Sequence, residues 1–260
     1  MIKKVGSKAS PKRVTNVLSP KKEAAKVPSN KPLGRISSGV PGFDRLIQGG
    51  FKEKSINLLV GGPGSGKTIF TIMFLLNGIK KGEPGVYVTF EEKKEKLYED
   101  MKGFGWDMEK YEKSGKFAYL EYTPEQVKKV LIEGGGTIDT IVTKIKAKRI
   151  VIDSVTSFAL LYKEELAKKE AALALFELID RWGCTALLTS QDVSLRGMEL
   201  SSALDFEVDS IVIIYHKKQK GVRQRGLEIL KMRGTKTPDM TYAIKIDQKG
   251  FNVLSQRLNF

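Results

Sequence analysis

The 260-residue sequence is poor in the residue types that build several common kinds of functional site. A single cysteine, Cys184, excludes an intramolecular disulfide and a zinc site made of cysteines, and we expect it to be a small buried residue in a strand. The single histidine, His216, is expected to be solvated at a strand end. The apolar run at residues 70–76 is far too short to span a bilayer, and no signal-like apolar segment opens the sequence. These absences favour a cytoplasmic location without membrane insertion.

The first 33 residues lack aromatic side chains and contain one acid, Glu23. They carry nine Lys or Arg and four prolines, and hence +8 of the formal net charge of +15. Such a segment buries too little apolar surface to offset the entropy of folding. We therefore predict a disordered basic arm over residues 1–33 and one folded domain over residues 34–260. The arm either holds nucleic acid or another anionic partner through its charge, or is a solvated tail.

Apolar runs of strand length alternate with helical segments between residues 55 and 191. Because each predicted strand is apolar on both faces, the pattern predicts an α/β fold with a mostly parallel central sheet and helices on both faces. After residue 191 the strands follow one another through short turns, which predicts C-terminal antiparallel hairpin strands. The glycines at 134–136 predict a break or bend in the helix that begins near residue 124. Predicted strands before this change lie at residues 55–60, 86–90, 117–122, 149–155 and 185–191, and predicted helices at 67–81, 93–104 and 164–182.

The segment GGPGSGKT, residues 61–68, fits the phosphate-binding pattern G-x-x-x-x-G-K-[ST] and stands between a predicted strand and a predicted helix. Its glycines let consecutive backbone N–H groups turn towards phosphates, and the helix N-terminus adds about half a positive charge. Lys67 is placed to reach the β- and γ-phosphates, and Thr68 to hold Mg²⁺. The predicted nucleotide-binding residues are Gly62, Pro63, Gly64, Ser65, Gly66, Lys67, Thr68 and Ile69.

Polar side chains stand at the ends of several predicted strands. Asp153 closes RIVID and is the natural partner of Mg²⁺ at the carboxyl end of an inner strand. Glu91 and Glu92 end VYVTF, where either carboxylate could orient and deprotonate an attacking water, and their repulsion raises one pKa if both are enclosed. Gln191 ends TALLTSQ and could sense a γ-phosphate through its amide. Simpler roles as helix caps or turn residues stay open for all four.

The order of these motifs resembles that of the single-domain KaiC/RadA-type ATPases of the RecA superfamily. The resemblance covers residues 33–254 and rests on ISSGVPGFDRLIQGGF, GGPGSGKT, GVYVTFEE, RIVIDSVTS, LLTSQ and LEILKMRGT. It implies a RecA-like P-loop NTPase that binds ATP and Mg²⁺. It also implies a homo-oligomer, a hexameric ring or a filament, with ATP between subunits, in which Glu91 and Glu92 match the catalytic glutamates.

Lys231 and Arg233 belong to the last of these motifs. We predict that LEILKMRGT, residues 227–235, is a strand on which both cations point to the same face, and that Gly234, just beyond them, allows the chain to turn. The resemblance implies that they reach the γ-phosphate bound by the neighbouring subunit; the alternative is a solvated basic face. Thr237 stands where the family often has a histidine.

A further departure concerns autophosphorylation. Asp205 and Phe206 stand where the circadian KaiC protein has its autophosphorylated Ser-Thr pair, which argues against autokinase activity.

The sequence is compatible with three functions. The first is a Mg²⁺-dependent ATP hydrolase acting as a regulatory or signalling module. The second is a RadA-like recombinase paralogue that binds single-stranded DNA in DNA repair, although the loop at 192–204 has Arg196 as its only cation. The third is a non-catalytic scaffold in which ATP only orders an assembly.

Overall fold

The computed structural model describes residues 34–132, 134–191, 208–219 and 221–259. The predicted basic arm at residues 1–33 lies outside the described residues. The same holds for the polar loop at 192–204 and for Asp205 and Phe206. No helix within the described ranges is long and apolar enough to cross a bilayer.

Two sheets organise the described residues. Strands β1 (Arg35–Ile36) and β2 (Phe51–Lys52) pair antiparallel in a small separate sheet. The main sheet has nine strands in the order β11-β10-β9-β8-β3-β7-β6-β4-β5; pairing is parallel from β5 to β8 and antiparallel from β8 to β11. This confirms the predicted mostly parallel sheet with C-terminal antiparallel strands. Its strands are β3 (Ile56–Gly61), β4 (Gly85–Thr89), β5 (Phe117–Glu121), β6 (Arg149–Asp153), β7 (Thr185–Ser190), β8 (Ser210–Gln219), β9 (Val222–Met232), β10 (Thr241–Asp247) and β11 (Gly250–Leu258).

The helices follow the predicted pattern with two additions. The break at residues 134–136 is confirmed, because α4 ends at Ile132 and the chain resumes as α5 after glycines with positive φ. The prediction missed α3, whose start is marked by Asp107 accepting a hydrogen bond from the Lys110 N–H, and the short α6. The helices are α1 (Lys67–Lys80), α2 (Lys94–Lys102), α3 (Met108–Lys113), α4 (Pro124–Ile132), α5 (Gly136–Ile145), α6 (Val155–Ala159) and α7 (Glu165–Trp182), with a short 3₁₀ helix at Asp44–Ile47.

Both faces of the central strands are buried. In β6, Ile150 and Ile152 contact one apolar core and Val151 contacts the other, and all three are at most 2% exposed. Helix α1 packs into the core that contains Val151, and α7 packs into the opposite core. Helices therefore cover both faces of the sheet, as a parallel sheet requires.

The prediction for β9 was wrong at its end. The strand stops at Met232, and Arg233 lies in the following turn, where its N–H donates to the Asp209 carbonyl at 2.8 Å. The pairing with β8 also shifts by one residue, so that Ile211 faces Lys231 while Val212 faces Ile229. Because Arg233 lies beyond the end of the strand, strand alternation does not relate its side chain to that of Lys231.

A fully buried arginine connects four segments of the domain. Arg149 is 0% exposed and donates to Glu83 Oε2 at 2.8 Å from Nε and 2.5 Å from Nη2. Its Nη1 donates to the Ser37 carbonyl at 2.9 Å and the Phe74 carbonyl at 2.8 Å. A Cβ at Gly78 would lie 2.3 Å from Arg149 Nε, so α1 needs a glycine at the contact. One guanidinium thus joins β6 to α1, to the loop after α1 and to the segment after β1.

Replacing this guanidinium should destabilise the fold. Arg149→Met removes the donor of the Glu83 carboxylate and one donor each from the Phe74 carbonyl and the Ser37 carbonyl, which still accepts from Asn77. We expect the free energy of unfolding to fall by about 2–4 kcal/mol. Urea unfolding without nucleotide, followed by circular dichroism, measures the change. Arg257→Met, at an exposed position of β11, is the control and should change stability by less than about 0.5 kcal/mol. Equal stabilities of the two variants would contradict this role of Arg149.

Candidate active site

Parallel pairing brings the carboxyl ends of several strands to one edge of the main sheet. Val60 of β3 lies beside Ser190 of β7, and Asp153 of β6 lies beside Thr89 of β4. The segments that follow these strands therefore meet, and they enclose a cavity of about 450 Å³. Among its lining residues are Pro63, Gly64, Lys67, Thr68, Glu91, Glu92, Asp153 and Gln191. The structure thus brings together most of the site residues predicted from the sequence.

The phosphate-binding loop has the geometry that its glycines predict. Gly64 has φ +70° and Gly66 has φ +107°, in the left-handed region that favours glycine. A Cβ at Gly66 would lie 2.6 Å from Ile246 Cδ1, and one at Gly61 would lie 2.8 Å from the Ile214 carbonyl oxygen. Helix α1 begins immediately after this turn, at Lys67. The backbone N–H groups at the start of α1 therefore stand at the cavity, as an anion site requires.

Two polar side chains of the loop are largely removed from solvent. Lys67 Nζ donates to the carbonyls of Gly61 at 2.6 Å and Gly62 at 3.3 Å, and burial lowers its pKa although Asp153 and Glu91 oppose the shift. Ser65 Oγ is the only buried side-chain polar atom without a partner in the described part of the chain. A buried hydroxyl normally has a hydrogen-bond partner. Ser65 is not among the residues that line the cavity, so of these two side chains only Lys67 stands at the phosphate site.

Asp153 is held from both neighbouring strands. Tyr87 in β4 donates its hydroxyl to Asp153 Oδ2 at 2.5 Å, and Thr189 in β7 donates to Asp153 Oδ1 at 2.5 Å. The hydroxyl of Tyr87 is completely buried, and its pKa is well above the usual value because of burial first and the Asp153 charge second. Asp153 and Thr68 line the same cavity. A carboxylate and a hydroxyl are oxygen ligands of the kind Mg²⁺ prefers, so these residues fit that ion.

Glu91 is the more heavily hydrogen-bonded of the two adjacent acids. Its Oε1 accepts from Ser154 Oγ at 2.8 Å and also from Ser157 Oγ. Its Oε2 accepts from Gln191 Nε2 at 2.7 Å. Three donors from two different segments therefore fix the carboxylate. Gln191, predicted as a sensor of the γ-phosphate, lies in the site beside Glu91.

Glu92 lies in a different environment. Its pKa is raised, mainly because burial removes water from the carboxylate and also because Asp100, Asp153 and Glu91 are negative, while Lys96 opposes the shift. Lys96 Nζ lies 3.8 Å from Glu92 Oε1. Thr89 Oγ1 accepts from the backbone N–H groups of both glutamates at 3.2 Å. Burial, more than the predicted mutual repulsion, thus distinguishes the two acids.

Several residues of the site were missed in the sequence. Ser154, Ser157, Tyr87 and Thr189 contact the predicted acids through hydroxyl groups, and the two in strands are polar positions within apolar runs. Arg225 donates from Nε at 3.2 Å and Nη2 at 3.1 Å to the Gly64 carbonyl, a contact across 161 positions that no local pattern predicts.

The expectation for His216 was wrong. It lies inside β8, which continues to Gln219, and it is half-buried beside the phosphate loop. Its Nδ1 is 3.7 Å from the position of a Cβ built at Gly64. Its pKa is lowered by desolvation and by the charge of Arg225. The prediction that Cys184 is buried is confirmed, and burial raises its pKa to about 11. The prediction that it lies in a strand was wrong, because it immediately precedes β7.

Lys231 and Arg233 are not part of this cavity. Strand β8 runs parallel to β3 and β9 runs antiparallel to both, so the end of β9 lies beside the start of β8. Gly61, which leads into the phosphate loop, lies beside Ile214, whereas Lys231 lies beside Ile211 and Met232 beside Ser210. Both cations therefore stand at the edge of the sheet opposite to the nucleotide cavity of the same chain.

Comparisons with known proteins agree with this architecture. The family model described as "ATPase: KaiC" matches residues 36–257. A UPF0273 protein of Pyrococcus horikoshii is 34% identical over 86% of this chain and 95% of the relative. The circadian clock protein KaiC3 of Synechocystis is 34% identical over 78% of this chain and 42% of its own length. A crystal structure of a KaiC-like protein from Pyrococcus horikoshii is 37% identical, with a TM-score of 0.74 over 86% of this chain and 100% of that chain.

The family match spans the whole main sheet, from β3 to β11, except for the last residue of β11. It includes the phosphate loop, both acids after β4, Asp153 and the end of β9. The fold is that of the RecA superfamily, with one ATPase domain. The chain therefore belongs to the KaiC ATPase family.

Proposed function

We propose that this protein hydrolyses ATP to ADP and phosphate with Mg²⁺, in an assembly that places the nucleotide between subunits. The observation that carries the proposal is the convergence of Lys67, Asp153 and the Glu91–Glu92 pair on one cavity. Membership of the KaiC ATPase family supports nucleotide binding. The acids beside the phosphate loop favour hydrolysis over a scaffold that only binds ATP.

The phosphate loop binds the nucleotide in this proposal. The backbone N–H groups of Gly62 and of residues 64–69, together with the Lys67 ammonium, hold the phosphate oxygens. Thr68 and Asp153 hold Mg²⁺, which neutralises phosphate charge and orients the γ-phosphate. Burial lowers the Lys67 pKa, and the Asp153 and Glu91 carboxylates oppose this shift by favouring the charged ammonium.

The two glutamates have separate tasks. Glu91, fixed by Ser154, Ser157 and Gln191, orients the attacking water. Glu92 accepts its proton, since a carboxylate with a raised pKa is a stronger base near neutral pH. The water oxygen forms a bond to the γ-phosphorus while the bond from that phosphorus to the bridging oxygen of ADP breaks. The proton remains on Glu92 until it exchanges with solvent.

Lys231 and Arg233 complete the site of a neighbouring subunit. Their own cavity lies at the opposite edge of the sheet, so a head-to-tail contact brings the cation edge of one copy to the cavity edge of the next. Such a contact closes into a ring, for which we propose a hexamer, or continues as a filament. Cations at the γ-phosphate stabilise charge in the transition state, as an arginine finger does.

The proposal also covers the domain organisation, the location and the biological role of the whole chain. Residues 1–33 form a basic arm outside the ATPase domain at 34–260, and the protein acts in the cytoplasm as a regulatory or signalling module. The charge of +8 on the arm favours one additional role, the binding of nucleic acid through phosphates. This is the feature that a RadA-like function in DNA repair would use.

Removing the proposed base should abolish turnover and spare binding. Glu92→Gln should lower kcat by about 100-fold or more, because the amide cannot accept a proton, while ATP affinity changes by less than about threefold. Phosphate release and binding of a fluorescent ATP analogue measure the two quantities. Glu99→Gln, on the exposed face of α2, is the matched control and should leave both unchanged. Unchanged kcat in Glu92→Gln would contradict the assignment, and a parent protein that binds ATP without releasing phosphate would favour the scaffold.

The pH dependence of kcat should report Glu92. Protonation inactivates the base, so kcat should fall as the pH drops through the raised pKa, with a midpoint above 4.5, the ordinary value for glutamate. Lys96 lowers this pKa, and therefore Lys96→Gln should move the midpoint to higher pH. Steady-state kcat from pH 4.5 to 8, with Lys110→Gln in α3 as the control, measures the shift. A midpoint that stays in place or moves to lower pH in Lys96→Gln would contradict the role of Glu92.

Mixing two inactive variants should restore turnover. Arg233→Ala keeps an intact phosphate loop and lacks the donated cation, whereas Lys67→Ala lacks the loop lysine and keeps Arg233. An interface between the two variants therefore contains one complete site. Phosphate release from the mixture should exceed that of either variant by about tenfold or more. Lys236→Ala, an exposed cation of the same segment, should behave as the parent. If mixed assemblies form and stay inactive, the role of Arg233 across the interface is wrong.

A further inference from the structure

A tyrosine hydroxyl lies inside the apolar core next to the proposed metal site. Tyr87 is in the middle of β4, is 0% exposed, and belongs to a core cluster that is otherwise mainly aliphatic and phenylalanine side chains. A buried tyrosine needs a partner for its hydroxyl. That partner is Asp153 Oδ2, at 2.5 Å. A phenylalanine would fill the same core space, so the hydroxyl serves the carboxylate and not the packing.

The hydroxyl is one half of a clamp. Thr189 is also 0% exposed and donates to Asp153 Oδ1 at 2.5 Å from the other neighbouring strand. Each carboxylate oxygen therefore accepts one hydrogen bond from a rigid β-strand. An ionised carboxylate has about four lone-pair directions, so both oxygens keep capacity for a metal ion or for the water bound to it. The clamp fixes rotation of the carboxylate without saturating it.

The Tyr87 ring also connects this clamp to the backbone of Glu92, the proposed base. It stacks on Tyr119 of β5, with ring centroids 5.4 Å apart and planes 5° apart. Tyr119 donates its hydroxyl to the Glu92 carbonyl at 2.8 Å. Tyr98 of α2 also packs edge-on against Tyr119, with ring centroids 5.8 Å apart. A contiguous set of contacts thus runs from the Asp153 carboxylate to the backbone of the proposed base.

We propose that Tyr87 is a positioning residue for the metal site, and that its hydroxyl, together with that of Thr189, holds Asp153 in the orientation that receives Mg²⁺. Tyr119 has a separate effect, on the placement of the Glu92 backbone. The inference rests on the proposed Mg²⁺-dependent hydrolysis and deepens it. Groups that orient a metal ligand commonly change metal affinity by about 10–100-fold when they are removed.

Binding of Mn²⁺ in place of Mg²⁺ tests the clamp without turnover. The experiment uses the full chain with a saturating non-hydrolysable ATP analogue and measures free Mn²⁺ by electron paramagnetic resonance. Tyr87→Phe and Thr189→Val each remove one hydroxyl and keep the shape of the side chain. Both should raise the Mn²⁺ dissociation constant by about tenfold. Affinity for the analogue without metal should stay within twofold of the parent.

Tyr119→Phe is the matched control because it removes a hydroxyl from the same ring stack. Its Mn²⁺ dissociation constant should stay within twofold of the parent, while kcat falls. A merely structural effect of Tyr87→Phe would instead change metal-free nucleotide affinity and metal affinity together, and would overturn the inference. If Tyr87→Phe does not fold, the same comparison of Mn²⁺ affinity with metal-free nucleotide affinity in Thr189→Val tests the inference.

Two failures can be told apart. If the parent binds Mn²⁺ with the analogue and the Tyr87→Phe and Thr189→Val variants bind it equally well, the positioning role is wrong while the proposed function stands. If the parent binds no Mn²⁺ in the presence of the analogue, the proposed function fails and the inference fails with it.

Discussion

Parallel pairing of β3, β7, β6 and β4 is the constraint on which the proposed site depends. It brings the phosphate loop, Gln191, Asp153 and the Glu91–Glu92 turn to one edge, although these residues are separated by up to 130 positions. A shift of one residue between β4 and β6 would move Asp153 to the opposite face of the sheet and away from Tyr87. The two apolar cores hold that register, because every central strand is buried on both faces. Arg149 adds a polar anchor at the other end of β6, where it ties the strand to α1 and to the segment after β1.

Because the chain reverses between β8 and β9, β9 ends at the edge of the sheet opposite to the one where the parallel strands end. The carboxyl ends of the parallel strands hold the cavity, while the end of β9 holds Lys231 and Arg233 at the opposite side. One chain therefore has a nucleotide cavity and, apart from it, a pair of cations. Under the proposed function, catalysis is a property of the contact between copies. Lys67 already supplies a cation to the chain's own phosphate loop, so Lys231 and Arg233 are not needed at the cavity of the same chain.

How much the sequence predicts depends on how local each feature is. The phosphate loop, the parallel sheet, the break at residues 134–136 and Asp153 at the end of β6 follow from short patterns, and the structure has all four. The Tyr87–Asp153 hydrogen bond and the Arg225–Gly64 contact depend on which strands become neighbours, which no short pattern contains. The end of β9 was mispredicted for a related reason. The one-residue shift in its pairing with β8 and the turn at Arg233 are set by the partner strand and not by the alternation of LEILKMRGT.

The environments of Glu91 and Glu92 illustrate the same limit at the level of single side chains. Adjacent acids at a strand end predict a catalytic pair, but only the fold places three donors on Glu91 and buries Glu92.

The central claim is that turnover requires an assembly in which one copy completes the site of the next. Size-exclusion chromatography with light scattering, run with ATP and Mg²⁺ and with phosphate release measured on the same fractions, tests it most directly. The account predicts that phosphate release is confined to assembled fractions and is lost in monomer fractions. Equal release per chain from monomers and from assemblies would contradict it.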